Sequence, residues 1–170
     1  YKEKVALSEE MLVRMNRALE IVEENKNTGI KNSYDLEIIR TGAELIKHTC
    51  LVYLDLSKLE YTIKEAHNNR FIDYNLSLDN LLAAQKIIEN TLSRRASVFN
   101  DLVKTWEQTR LPKGFSTDSK PFFWQQDRAR HFAFRRPDMT FLIYDGQLLN
   151  MEGYLADLKT YIEYFRRNAM

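Results

Sequence analysis

The chain has little of what breaks or staples a fold: 170 residues hold five glycines, three prolines and one cysteine. Scarce Gly and Pro argue against a sheet protein full of tight turns and favour long uninterrupted helices. The single cysteine, Cys50, excludes an internal disulfide and leaves the compartment open. Between Thr49 and Leu51 on an apolar helix face, it reads as a small buried hydrophobe rather than a nucleophile. No apolar run approaches the ~18 residues of a membrane span, and the N-terminus lacks a charged-then-apolar leader pattern. An excess of one charge is missing too. The formal net charge is +1, which argues against a nucleic-acid binder with a wholly basic face.

Recognisable reaction centres are equally scarce. The sequence has no glycine-rich phosphate loop, no HExxH and no cysteine cluster, and the Glu-x-x-His spacing of di-metal bundles is absent. Neither a metal nor a cofactor is therefore expected. Glu44 with His48, and Asp127 with His131, stand four residues apart, close enough on a helix for a carboxylate to hold an imidazole. The acid pairs Glu9-Glu10 and Glu23-Glu24 fall among charged neighbours at helix ends and read as solvated termini. None of His48, His67 and His131 sits in a recognisable catalytic loop.

What is present is helical periodicity. Hydrophobic residues make up 44% of the chain and charged ones 29%, ordinary for a single globular domain spanning 1–170. Because residue 1 is Tyr rather than Met, the chain is expected to be a C-terminal piece of a longer polypeptide. A first helix is predicted from a cap at Ser8, with Leu7 stapled onto Leu12, to about Asn25. Its stripe is Met11, Leu12, Met15, Ala18, Leu19 and Val22. A second runs from a Ser33 cap to about Asn69, with Ile38, Ile39, Leu45, Ile46, Cys50 and Tyr53 leading its inward face; Gly42 is placed to bend it or admit a close backbone. Ser77 caps a third, Leu76 over Leu81, running to about Thr109. A loop from Leu111 to about Ser119 precedes a shorter helix to about Arg135, and a last helix is predicted from an Asp138 cap to about Arg167. Residues 139–145 also fit a strand and turn; with no second strand to pair, helix is preferred. The fold class is all-α: an elongated antiparallel bundle of four long helices plus one shorter helix.

The stretch from Arg110 to Pro137 differs from this background. It holds all three prolines and six aromatics, and seven Lys or Arg against two Asp leave it at +5 in a chain of net +1. On a helix, Trp124, Arg128, His131 and Arg135 fall near one face, and Arg136 adjoins it. Planar rings beside Arg and Asp suit sugars, which offer an apolar face and hydroxyls, and suit nucleobases equally. Three readings stand: the phenylalanines fill the open end of the bundle, the face docks onto another domain, or it contacts a ligand directly.

Two segments, WEQTRLPKGFS from Trp106 to Ser116 and QDRARHFAFRRPDMTFLIYDGQLLNMEGYL from Gln126 to Leu155, carry a resemblance. They are similar to the C-terminal helical region that follows the catalytic barrel in family 20, β-hexosaminidase-like glycoside hydrolases of Bacteroidetes type. The resemblance implies acetamido-assisted glycoside hydrolysis by an Asp-Glu pair on a (β/α)₈ barrel outside this chain, so no catalytic residue carries over. It further implies a non-catalytic accessory domain of a periplasmic or secreted enzyme. Its partners would be the barrel of the same polypeptide and a glycan, with Trp124, Arg128, His131, Arg135 and Arg136 as the docking or binding face. The alternative is an independent module that binds a protein or nucleic acid through stretch 110–137.

Overall fold

The structure is a computed structural model, and it describes residues 2–26, 28, 33–106, 108 and 150–168. The described residues form a helical bundle without strands: α1 Lys2–Lys26, α2 Ser33–Asn69, α3 Tyr74–Trp106 and α4 Met151–Arg167. α1 packs on α2, α2 on α3, and α3 on α4. At 37 residues α2 is about 55 Å long by the usual helical rise. The shorter helix expected to end near Arg135, and the helix-or-strand segment 139–145, lie outside the described residues.

Several helix starts differ from expectation. α1 begins at Lys2, six residues before Ser8, which is buried inside the helix, and Leu7 is exposed rather than stapled. Lys2 to Leu7 contains no breaker, so helix propagates through it. At the start of α3, Asp73 is the cap: its Oδ1 accepts from the Leu76 N–H at 3.0 Å. The Ser77 hydroxyl turns inward, donating to the Ala66 carbonyl at 2.7 Å, and Leu76 is exposed. Before α4, Asn150 sits in the left-handed region at φ 40, so no helix runs unbroken from 138 to 167. Asn tolerates that conformation, and its side chain accepts from the Gly153 N–H. A Cβ at 153 would strike that amide, which is why glycine serves there.

Among the described residues one buried cluster joins α2, α3 and α4. Val52 and Ala66 of α2, Leu81, Ala84 and Ile88 of α3, and Met151, Leu158, Ile162 and Phe165 of α4 form one buried cluster, and the Phe165 ring stacks on Tyr74 at 5.0 Å. Fully burying a side chain such as Ile162 contributes roughly 1.5–3 kcal/mol. In the other half of α2, Ile38, Ile39 and Ile46 are exposed, contrary to the inward stripe, while Thr41, Ala43 and His48 are buried. The stripe on α2 is wider than the described helices beside it cover. Nothing lies within 4 Å of a Cβ built on Gly42, so that glycine admits no close backbone among the described residues.

Contacts between successive helices fall in opposite numerical order. Lys26 meets Glu37 at 3.6 Å, and the Lys4 ammonium lies 5.8 Å from the centre of the Tyr53 ring. Arg40 meets Asp101 at 2.6 Å, Asp55 meets Arg94 at 2.5 Å, and Ala66 meets Ser77. Arg95 pairs with Glu152, and Glu89 with Lys159 at 2.8 Å.

Candidate functional site

Trp124, Arg128, His131, Arg135 and Arg136, the face predicted to dock or bind, lie outside the described residues, as does the Asp127–His131 pair. The framework on either side of them is described. α3 reaches Trp106, its last turns tied to α2 through Arg40, whose guanidinium binds both Asp101 and Glu37. On the other side, Asn150 caps α4, and α4 meets α3 through Arg95–Glu152 and Glu89–Lys159 and through the stacked rings of Tyr74 and Phe165.

Two other constellations occur among the described residues. The first is polar and lies between α2 and α3. Asp55 accepts from the Thr91 hydroxyl at 2.7 Å and from Arg94 Nη2 at 2.5 Å, and Arg94 Nε donates to His48 Nδ1 at 3.3 Å. His48 is only 3% exposed, so its imidazole belongs to the interior. Among the described residues no hydrogen bond or ion pair joins Glu44 to His48, four positions on. Asp55 is committed to a guanidinium and a hydroxyl, which suits a carboxylate that fixes helix register better than one that abstracts a proton.

Cys50 is buried, and desolvation pushes its thiol above the ordinary value, away from nucleophilic use. Among the described residues no group of three or more His, Cys, Asp or Glu is placed to hold a metal ion, and no helix is long and apolar enough to cross a membrane.

The second constellation is a groove. α2 and α4 both rest on α3, and between them run two adjoining cavities of about 580 and 300 Å³ that share Ile63, His67 and Tyr154. Their floor is Ile88 and Leu81 of α3. Leu56, Leu59 and Ile63 form the α2 wall; Met151, Tyr154, Leu158 and Tyr161 form the α4 wall. Glu60 and Lys64 on one side and Asp157 on the other are exposed lip residues. Partial burial raises the Tyr154 phenol above its usual range, so that ring stays neutral at physiological pH.

Sequence reasoning missed both features. The signal for the first was a polar residue at an inward position of an apolar stripe, Asp55 between Leu54 and Leu56, with Thr91 and Arg94 on one face of the next long helix. For the second it was Tyr154, Asp157 and Tyr161 at i, i+3 and i+7. Compared with models of protein families, with curated proteins and with solved structures, the chain matches none of them.

Proposed function

We propose that the chain is a non-catalytic helical accessory domain of a carbohydrate-active enzyme, an antiparallel bundle that packs against, or extends the substrate surface of, a catalytic barrel in the same polypeptide. The observation that carries this reading is the pair of resembling segments, 106–116 and 126–155, which join onto the framework at both ends: the first begins at the last residue of α3, and the second runs into α4. The opposite order of contacts along α1 and α2, α2 and α3, and α3 and α4 supports the antiparallel arrangement. A shorter fifth helix within 110–137 belongs to the same proposal, with Trp124, Arg128, His131, Arg135 and Arg136 as its docking or glycan-contacting face. The setting is then periplasmic or secreted.

The +5 charge of stretch 110–136 favours a second reading, an independent module for a protein or nucleic acid. Two measurements separate them. The isolated chain is expected to leave an aryl N-acetyl-β-hexosaminide intact; turnover overturns the non-catalytic assignment. Binding to oligothymidylate is expected to be weak; tight binding that falls steeply with salt marks several phosphate contacts and favours the second reading. The coding sequence upstream of Tyr1 is expected to hold alternating strands and helices with Asp-Glu ending a strand, and a different architecture there removes the glycosidase parent.

A further inference from the structure

We infer that the end of the bundle formed by the α2–α3 turn, with Tyr61, Phe71 and Ile72 as its anchors, is the surface on which the polypeptide preceding α1 docks. This rests on the proposed function, in which that polypeptide is a catalytic barrel, and it assigns the interdomain contact to residues outside stretch 110–137. The anchors stand out first by exposure. Phe71 and Ile72 are adjacent and 89% and 84% exposed, the two highest values of any large hydrophobic among the described residues. The turn itself does not call for them. The Asn69 carbonyl accepts from the Ile72 and Asp73 N–H groups at 3.0 and 2.9 Å, and Asp73 Oδ1 caps α3 by accepting from the Leu76 N–H. Asn and Asp are residue types that close a turn, and small polar residues would serve between them. The Arg70 guanidinium lies 5.0 Å from the centre of the Phe71 ring, yet the ring keeps nearly all of its surface open. An aromatic ring beside a branched aliphatic, both fully presented, marks a contact surface. All three anchors lie outside the buried cluster, so docking covers them without opening the bundle.

The direction of α1 identifies the occupant. α1 has 25 residues and α2 has 37. Lys26, the last residue of α1, meets Glu37 near the start of α2 at 3.6 Å, so the whole shortfall lies at the other end. There Lys4 reaches the Tyr53 ring, and α2 continues past the start of α1 to Asn69, about 20 Å further at the usual rise. Ala43, Cys50 and Tyr61, at spacings that bring a helix back to the same face, share one stripe of α2. At the level of α1 the first two are 7% and 6% exposed; beyond its start Tyr61 is 66% exposed. Residues that lead into α1 arrive from the turn end, over the length of α2 that α1 does not reach. A domain attached there meets Tyr61 first, then the turn with Phe71 and Ile72. Trp106, where α3 hands on to stretch 110–137, lies at the opposite end, past the Arg40–Asp101 pair.

The test compares the 170-residue chain with the polypeptide extended upstream of Tyr1 as its coding sequence dictates, by hydroxyl-radical footprinting read by mass spectrometry. In the extended polypeptide, oxidation at Tyr61, Phe71 and Ile72 is expected to fall at least about fivefold relative to the chain alone, while Val13 and Ile39, exposed farther from the turn, keep their rates. A Phe71→Ser, Ile72→Ser variant is expected to melt at the parent's Tm in the 170-residue chain, because both positions are exposed. In the extended polypeptide the same variant is expected to be cut at the junction before α1 at least about tenfold faster than the parent by limited proteolysis. Unchanged oxidation of Phe71 and Ile72 on extension, or equal cleavage of variant and parent, overturns the inference and leaves the barrel reading standing. An upstream region that is not a barrel overturns that reading, while the footprint still decides whether the turn end is covered. Protection that appears in the 170-residue chain alone as its concentration is raised makes a second copy the occupant and overturns the inference. A coding sequence with nothing upstream of Tyr1 overturns both.

Discussion

Replacing Asp55 by Ala tests whether the α2–α3 interface is held in register by its polar contacts. The carboxylate lies 2.5 Å from Arg94 Nη2 and 2.7 Å from the Thr91 hydroxyl. Thr91 loses little, because the Ile87 carbonyl is already 3.0 Å away, and Arg94 Nε keeps its bond to His48. The cost therefore falls on the Arg94 charge, left partly desolvated without its counterion. Breaking a fully buried pair from one side costs roughly 3–5 kcal/mol. Here the side chains are 25% and 26% exposed, so water screens part of that loss. The working estimate is about 2 kcal/mol, or ~4–8 °C in Tm for a chain of this size. Urea and thermal unfolding followed by circular dichroism would read it. A double-mutant cycle with Arg94→Ala is expected to give a coupling of about 1–2 kcal/mol. An Asp55→Leu, Arg94→Met variant should recover most of the stability, since apolar side chains of similar volume can replace a buried pair. An Asp55→Ala protein within ~0.5 kcal/mol of the parent, with no coupling to Arg94, would refute the assignment.

Ile162 is 2% exposed in the cluster shared by α2, α3 and α4, so Ile162→Ala is expected to cost about 2–5 kcal/mol, read as a lower urea midpoint with unchanged slope; a midpoint shift corresponding to under ~1 kcal/mol would mean that α4 is not seated on α3. Burial raises the Cys50 thiol, and the folded chain holds that proton more tightly than the unfolded chain. Ellman's reagent should therefore label Cys50 far more slowly in the native protein than in urea, and stability should decline as pH rises above the ordinary thiol value of about 8.5, not as it falls below it. Equal labelling rates in the two states would contradict the burial of this side chain.

The bounds of α2 were legible because both ends carry local chemistry: Ser33 precedes a long periodic run, and polar residues interrupt the pattern after Asn69. The starts of α1 and α3 were not. Ser8 and Ser77 look like caps in sequence, yet each follows residues that are equally able to be helical, and near Ser77 a second cap residue, Asp73, stands four positions earlier. Only the packing of α2 against α3 decides between them, by drawing the Ser77 hydroxyl onto the Ala66 carbonyl. Ile38, Ile39 and Ile46 failed for a related reason. An apolar stripe tells that a helix has a face to cover, not how many neighbours arrive to cover it. Asp55 and Arg94 read as ordinary solvated charges until the two helices are laid together.

The two halves of the α2–α3 interface are thus built on different physics. Toward the Asn69–Asp73 turn the interface is apolar and α4 covers it; toward the other end it is joined by Thr91, Asp55, Arg94, His48, Arg40 and Asp101. Apolar contacts are non-directional and tolerate sliding, whereas a guanidinium shared between a carboxylate and an imidazole does not. The polar half is therefore suited to setting the register in which the apolar half packs. The α2/α4 groove lies over the apolar half, and its lining residues Leu81, Ile88, Met151 and Leu158 are themselves members of the core cluster.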